Sequence, residues 1–155
     1  MAGKEKHNFS PHIHNRRAMH EYFISAKIEC GIVLVGSEVK SLRLGKAQLQ
    51  ESYARIENGV LVLHGCHIDP YEKASLNHEP LRERKLLVHK RELKKLAGEM
   101  QQSGTTLVPL GIYFKNGLAK VELGVARGKQ RHDKRESIKK KEQDRELRRA
   151  MTQRR

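Results

Sequence analysis

At 155 residues the chain is long enough for one compact domain with an extension, and too short for two ordinary domains. Its 32 Lys and Arg against 18 Asp and Glu leave a formal net charge of +14, well beyond what solubility requires, so a polyanion is the expected partner. No apolar run approaches the ~20 residues that span a bilayer, and no basic stretch is backed by Trp or Phe anchors; this sets a membrane aside and leaves nucleic acid.

Residues 1–15 are polar and His-rich with little periodicity, and they are expected to form a mobile arm ahead of a barrel domain at 16–127 and a basic tail at 128–155. The first twenty residues lack the apolar stretch of a secretory signal, and Cys30 and Cys66 stand alone without a partner motif, which places the chain in the reducing cytoplasm. Strand signals follow at 22–29, 32–35, 52–57, 60–64, 107–114 and 118–125, where β-branched, aromatic or alternating apolar residues accumulate. Asn58-Gly59 and Asn116-Gly117 join consecutive strands in the last two pairs, because Asn-Gly suits the two positive-φ positions of a type I′ hairpin turn.

A short helix is predicted over 37–44, with Ser37 as its cap and Gly45 as its stop. A longer one is predicted over 81–100, with Leu86, Leu93, Leu96, Ala97 and Met100 on one face and cations on the other. Short antiparallel strands with helices between them must hide their sheet edges, so the expected fold is mainly β, a small closed barrel of the oligonucleotide-binding type.

The tail from Arg127 to Arg155 holds thirteen Lys or Arg and five Asp or Glu, and so carries +8 of the +14. Its apolar stripe is limited to Ile138, Leu147, Ala150 and Met151, which predicts a segment that is disordered when free and helical once RNA neutralises it.

Catalytic patterns do not hold up under inspection, and no cofactor is expected. In GVARGKQ, only three residues separate Gly124 from Gly128, and Gln130 follows Lys129 where a nucleotide-binding loop needs Ser or Thr for Mg²⁺. His64, Cys66 and His67, with Asp69, do not share a strand face, and His7, His12, His14 and His20 lack fixed spacing, so no metal site is expected. No strained nucleophile turn is marked.

The chemistry that is present is clustered cations: Arg16 and Arg17 beside Asn15; Lys40, Arg43 and Lys46; Arg82, Arg84 and Lys85; and Lys129, Arg131, Lys134 and Arg135. Such groups release counterions from RNA phosphates and supply most of the affinity, while shape supplies selectivity. A metal-dependent nuclease and a structural ribosomal protein are the competing classes; the first would need a carboxylate cluster.

NRRAMHEYFI (15–24), ECGIVLVGSEVKSLRLGKAQLQESYA (29–54), RKLLVHKREL (84–93) and GVARGKQRHDKRESIK (124–139) resemble, in order, the segments of the SmpB family. The resemblance implies an RNA-binding barrel, not an enzyme, that holds the transfer-RNA-like domain of transfer-messenger RNA and enters stalled ribosomes in trans-translation. By position it assigns RNA contacts to Glu29, Leu87, His89 and Lys120. It assigns Gly128, Lys129, His132, Asp133, Lys134 and Arg135 to the segment entering the decoding region of the small subunit, with His132 placed to stack on a base. Ribosomal RNA along the message channel is then a second partner, and elongation factor Tu and alanyl-tRNA synthetase are indirect ones through the charged RNA. Two positions depart from some relatives: Gln143 stands where they carry Trp, and His89 where they carry Asn.

Overall fold

The computed structural model describes residues 11–129 and 131–153; of residues 131–134 it describes only the backbone. The elements are β1 (Ile13–His14), α1 (Ala18–Glu21), β2 (Tyr22–Ile32), α2 (Gly36–Arg43), β3 (Ala47–Gln48), β4 (Tyr53–Glu57), β5 (Val60–His64), β6 (His67–Ile68), β7 (Arg84–Leu87), α3 (Lys90–Met100), β8 (Thr105–Lys115), β9 (Leu118–Gly128) and α4 (Arg131–Gln153).

Pairing runs β8–β4–β5–β7–β2–β9 and returns from β9 to β8, every step antiparallel, which closes a six-stranded barrel. Closure removes the exposed edges that short strands would otherwise present. Its interior is apolar: Cys30, Leu61, Leu63, Leu86, Leu107, Ile112, Val121 and Leu123 are almost fully buried there, and α2 and α3 add Leu42 and Leu96. The alternation is visible along β9, where Val121 and Leu123 point in and Lys120 and Glu122 point out.

Both hairpin predictions hold: Asn58 and Gly59 have φ of 49° and 75°, Asn116 and Gly117 52° and 76°. Gly45 ends α2 with φ 71°, and its amide bonds to the Leu42 carbonyl.

Three expectations are corrected. The segment 81–100 is not one helix: Arg84–Leu87 is strand β7 and the helix starts only at Lys90, with His89 in its cap position. Arg84 and Leu86 are buried while Lys85 and Leu87 are exposed, a period of two that a flanking helical leucine stripe masks in the sequence. Residues 33–35 do not form a strand; β2 instead runs unbroken through Gly31 to Ile32, because pairing on both sides outweighs the glycine. Ser37 does not cap α2, whose cap position is Val35; the Ser37 hydroxyl is 2.8 Å from His78 Nδ1 instead.

The body also begins earlier than 16. β1 pairs with β8, and Asn15 is buried, its amide donating to the carbonyls of Leu49 (3.2 Å) and Pro109 (2.9 Å).

Candidate nucleic-acid interface

Four strands lay a row of residues across the outside of the barrel. Leu87 of β7 pairs with Gly31 of β2, Gly31 with Lys120 of β9, and Lys120 with Tyr113 of β8. Directly paired positions share a sheet face, so Leu87, Lys120 and Tyr113 stand side by side, with Gly31 as a gap in the row. A Cβ on Gly31 would lie 3.2 Å from Cβ of Leu87, a contact tight enough that Leu87 would have to shift. Glu29 sits two residues along β2 on the same face, and His89 two residues beyond Leu87 in extended backbone. The four barrel positions expected to touch RNA are therefore neighbours, drawn from sequence positions 29, 87, 89 and 120.

Glu29 is fixed by its surroundings. The Tyr113 hydroxyl donates to Oε2, and Lys115 Nζ is 3.5 Å from Oε1. The Tyr113 hydrogen bond, then Lys115, holds the Glu29 carboxyl below the usual range, while burial and the facing carboxylate push the Tyr113 phenol up to about 12. The result is an ionised acceptor beside cations, suited to amines or ribose hydroxyls. Tyr113 and Lys115 were not singled out from the sequence; the Asn116-Gly117 hairpin that brings them opposite Leu118 and Lys120 was the available signal.

Other predicted cations divide by environment. Arg16 and Arg17 are exposed beside the buried Asn15, whose amide is used by the fold. On α2, Lys40 lies 5.3 Å from the Tyr71 ring centroid and Arg43 lies 4.7 Å from that of Phe114. The 82–85 cluster is not a phosphate surface as a whole. Arg84 is fully buried, its Nε 2.6 Å from Glu38 Oε2 and its Nη1 2.6 Å from the Cys66 carbonyl, and Arg82 binds the other Glu38 oxygen at 2.6 Å. Glu38, also fully buried, lies in the GSEVKSLR stretch and ties α2 to β7.

His64, Cys66 and His67 do not converge. His64 Nε2 is 2.8 Å from Glu57 and its Nδ1 3.2 Å from Glu83, Cys66 is buried with its thiol pushed up to about 11 by burial, and His67 faces Asp69 at 3.2 Å. Gly124 of the GVARGKQ stretch is packed under Leu110 and Ile24, where a Cβ would come within 3.1 Å of the leucine.

The SmpB protein family model matches residues 12–153. The chain belongs to the SmpB family. It is 53% identical over 141 residues to the SsrA-binding protein of Geobacillus thermodenitrificans, covering 90% of this chain and 91% of that one. Against the SsrA-binding protein of Thermosynechococcus vestitus it is 54% identical over 142 residues, covering 90% and 93%. A solved chain described as "tmRNA-SmpB: a journey to the center of the bacterial ribosome" superposes with a TM-score of 0.67 at 52% identity, covering 83% of this chain and 94% of that one.

In this SmpB-family chain the tail is the 23-residue helix α4. Gly128 ends β9 opposite Tyr22, and Lys129 is a junction: its Nζ contacts the Met19 carbonyl (3.2 Å) and the Ser137 hydroxyl (3.0 Å) and lies 5.0 Å from the Phe23 ring centroid. Arg135 is exposed, while the side chains of His132, Asp133 and Lys134 lie outside the described residues. Among the described residues no helix is long and apolar enough to cross a membrane.

Proposed function

We propose that this protein binds the transfer-RNA-like domain of transfer-messenger RNA with the face built from Glu29, Leu87, His89 and Lys120, supported by Arg16, Arg17, Lys40 and Arg43, and carries it to stalled ribosomes in the cytoplasm. The observation that carries the reading is the cross-strand row Leu87–Gly31–Lys120–Tyr113, with Glu29 held beside it. The names of its relatives, SsrA-binding proteins, point the same way. The shape suits a folded RNA: Lys120 and the flanking cations meet phosphates, Leu87 packs on a ribose or base, and Glu29 accepts from a donor that a phosphate alone does not offer.

The tail has a separate task in this reading. Gly128, Lys129, His132, Asp133, Lys134 and Arg135 lead α4 toward the decoding centre, and the +8 carried by residues 127–155 fits a message channel lined by ribosomal RNA phosphates only when message is absent. Elongation factor Tu and alanyl-tRNA synthetase would act through the RNA and need no surface here. Truncation after Gln130 tests the division: the truncated protein should bind transfer-messenger RNA with parental affinity and lose peptide tagging on stalled ribosomes. Tagging at the parental rate would overturn the tail's role, and loss of RNA binding in the folded truncate would overturn the division.

A further inference from the structure

The N-terminal end of β2 carries a feature that the Glu29 face does not use. Phe23 points out of the barrel and is 50% exposed, next to the irregularity between Ile24 and Ala26 where the pairing of β2 with β9 shifts. Bulges of this kind re-aim side chains beside binding sites, and Ser25 secures this one by donating its hydroxyl to the Val125 carbonyl. Across the sheet, Phe23 pairs with Arg127 and Arg127 with Thr105. The C-terminal half of α3 passes over this corner, and between helix and sheet lies a cleft of about 680 Å³ lined by Phe23, Arg127, Thr105, Lys95, Glu99 and Gln102.

The lining has one aromatic surface, two cations and a fringe of hydrogen-bonding groups. The half-exposed phenyl near the start of β2 offers apolar surface to a ligand, and the cations around it, with Lys129 over the ring, favour an anionic one in a protein of net charge +14. A flat π-surface bordered by Arg and Lys is the arrangement on which single-stranded nucleic acids stack.

We propose that this cleft seats one unpaired nucleotide of RNA. The base lies on the part of the Phe23 ring that faces the cleft, its phosphate meets Arg127 and Lys95, and the Glu99 carboxylate and Gln102 amide meet its edge, favouring a base with an exocyclic amine. The site is distinct from the Glu29 row: Phe23 and Glu29 are six residues apart on one strand, roughly 20 Å at about 3.3 Å per residue. It does not depend on how that row is assigned.

The chain has no Trp, so Phe23→Trp in the full-length protein gives a single reporter in the cleft. Titration with an eight-nucleotide single-stranded RNA at low salt should quench its fluorescence saturably, and Lys95→Glu with Arg127→Glu should remove the effect. Phe23→Leu should weaken binding of the same oligonucleotide about 10-fold while Phe23→Tyr retains it. The Glu29→Ala variant should bind this oligonucleotide like the parent, which separates the two sites. Absence of quenching at saturating RNA overturns the proposal. So does equal quenching by a duplex of the same length, which would mean phosphate attraction without a base seat. Parental binding by folded Phe23→Leu overturns it too; if that variant does not fold, the Trp reporter decides.

Discussion

Replacing Glu38 by Gln should be among the most destabilising single changes available to this fold. The Glu38 and Arg84 side chains are both wholly inaccessible, Arg84 Nε lies 2.6 Å from Oε2, and Arg82 occupies Oε1. Gln keeps the volume but removes the charge, and a guanidinium cannot shed its proton to adapt. Arg84 keeps the Cys66 and Pro80 carbonyls, but a single amide oxygen at position 38 now faces both arginines and an NH2 replaces the other oxygen, so a buried cation loses its counterion, a change worth about 3–5 kcal/mol. Against a total stability of about 5–15 kcal/mol, this is a large fraction. With a urea slope of about 2 kcal/mol/M, the midpoint should fall by roughly 2 M. Arg84→Met should cost less, because Arg82 still pairs with Glu38 from a position 36% exposed. The Glu38→Met/Arg84→Met double variant should recover much of the loss, since two apolar side chains of similar volume leave no buried charge. Urea unfolding followed by circular dichroism measures Glu38→Gln and, with the Glu38→Met single variant added, all four corners of the Met cycle. A loss under about 1 kcal/mol for Glu38→Gln, or a double variant as unstable as the sum of the singles, would refute the reasoning.

The functional face gives further expectations. Lys120→Ala should weaken transfer-messenger RNA binding and lower the slope of log affinity against log salt by about 1, as expected for one lost phosphate contact; an unchanged slope would move Lys120 off the interface. Gly31→Ala should push Leu87 out of line, costing about 1–3 kcal/mol of stability and reducing RNA affinity, and a variant with parental values for both would show that the gap is not needed. Cys30 is buried and its thiol pushed up to about 12, and Cys66 to about 11, so neither should react with a thiol reagent at pH 8 until urea unfolds the barrel. Because the Tyr113 phenol is raised from 10 to about 12 and the Glu29 carboxyl is lowered, the stability the pair shares is present while Glu29 is ionised and pH stays below 10, is lost as pH rises through about 12, and is lost again in acid as Glu29 protonates; Tyr113→Phe should delete the alkaline step from the 295 nm titration.

The parts of the fold that were legible are those where one local rule decides. Asn-Gly at 58–59 and 116–117 fixed two hairpins, Gly45 ended α2, and β5 runs over the predicted residues 60–64. Residues 81–100 were misread because two periods overlap there. Leu86 falls at strand spacing from Arg84, yet also at helical spacing from Leu93, and a buried arginine reads as surface until its partner 46 residues away is known. Nothing local to Glu38 in the sequence announces that pairing. The site divides in the same way. Glu29, Leu87, His89 and Lys120 came from the family resemblance, since nothing local announces that they meet, and Tyr113 and Lys115 escaped because their role exists only in the register of β8 against β9.

The two kinds of charge in this protein are linked through β7. Arg84 points inward because Glu38 holds it there, and on a strand that choice sets every following residue: Lys85 out, Leu86 in, Leu87 out. A slip of one residue would bury Leu87 and expose Leu86, and it would break the row with Gly31 and Lys120. Leu87 and Leu86 are both leucines, so hydrophobicity alone does not distinguish the two registers; a buried cation with one matching carboxylate does. The Glu38–Arg84 pair thus acts as a register pin, and a destabilised Glu38→Gln protein should lose RNA affinity at temperatures where its barrel is still largely folded. Parental affinity in that variant, measured well below its melting transition, would confine the pair to stability and detach it from the RNA face.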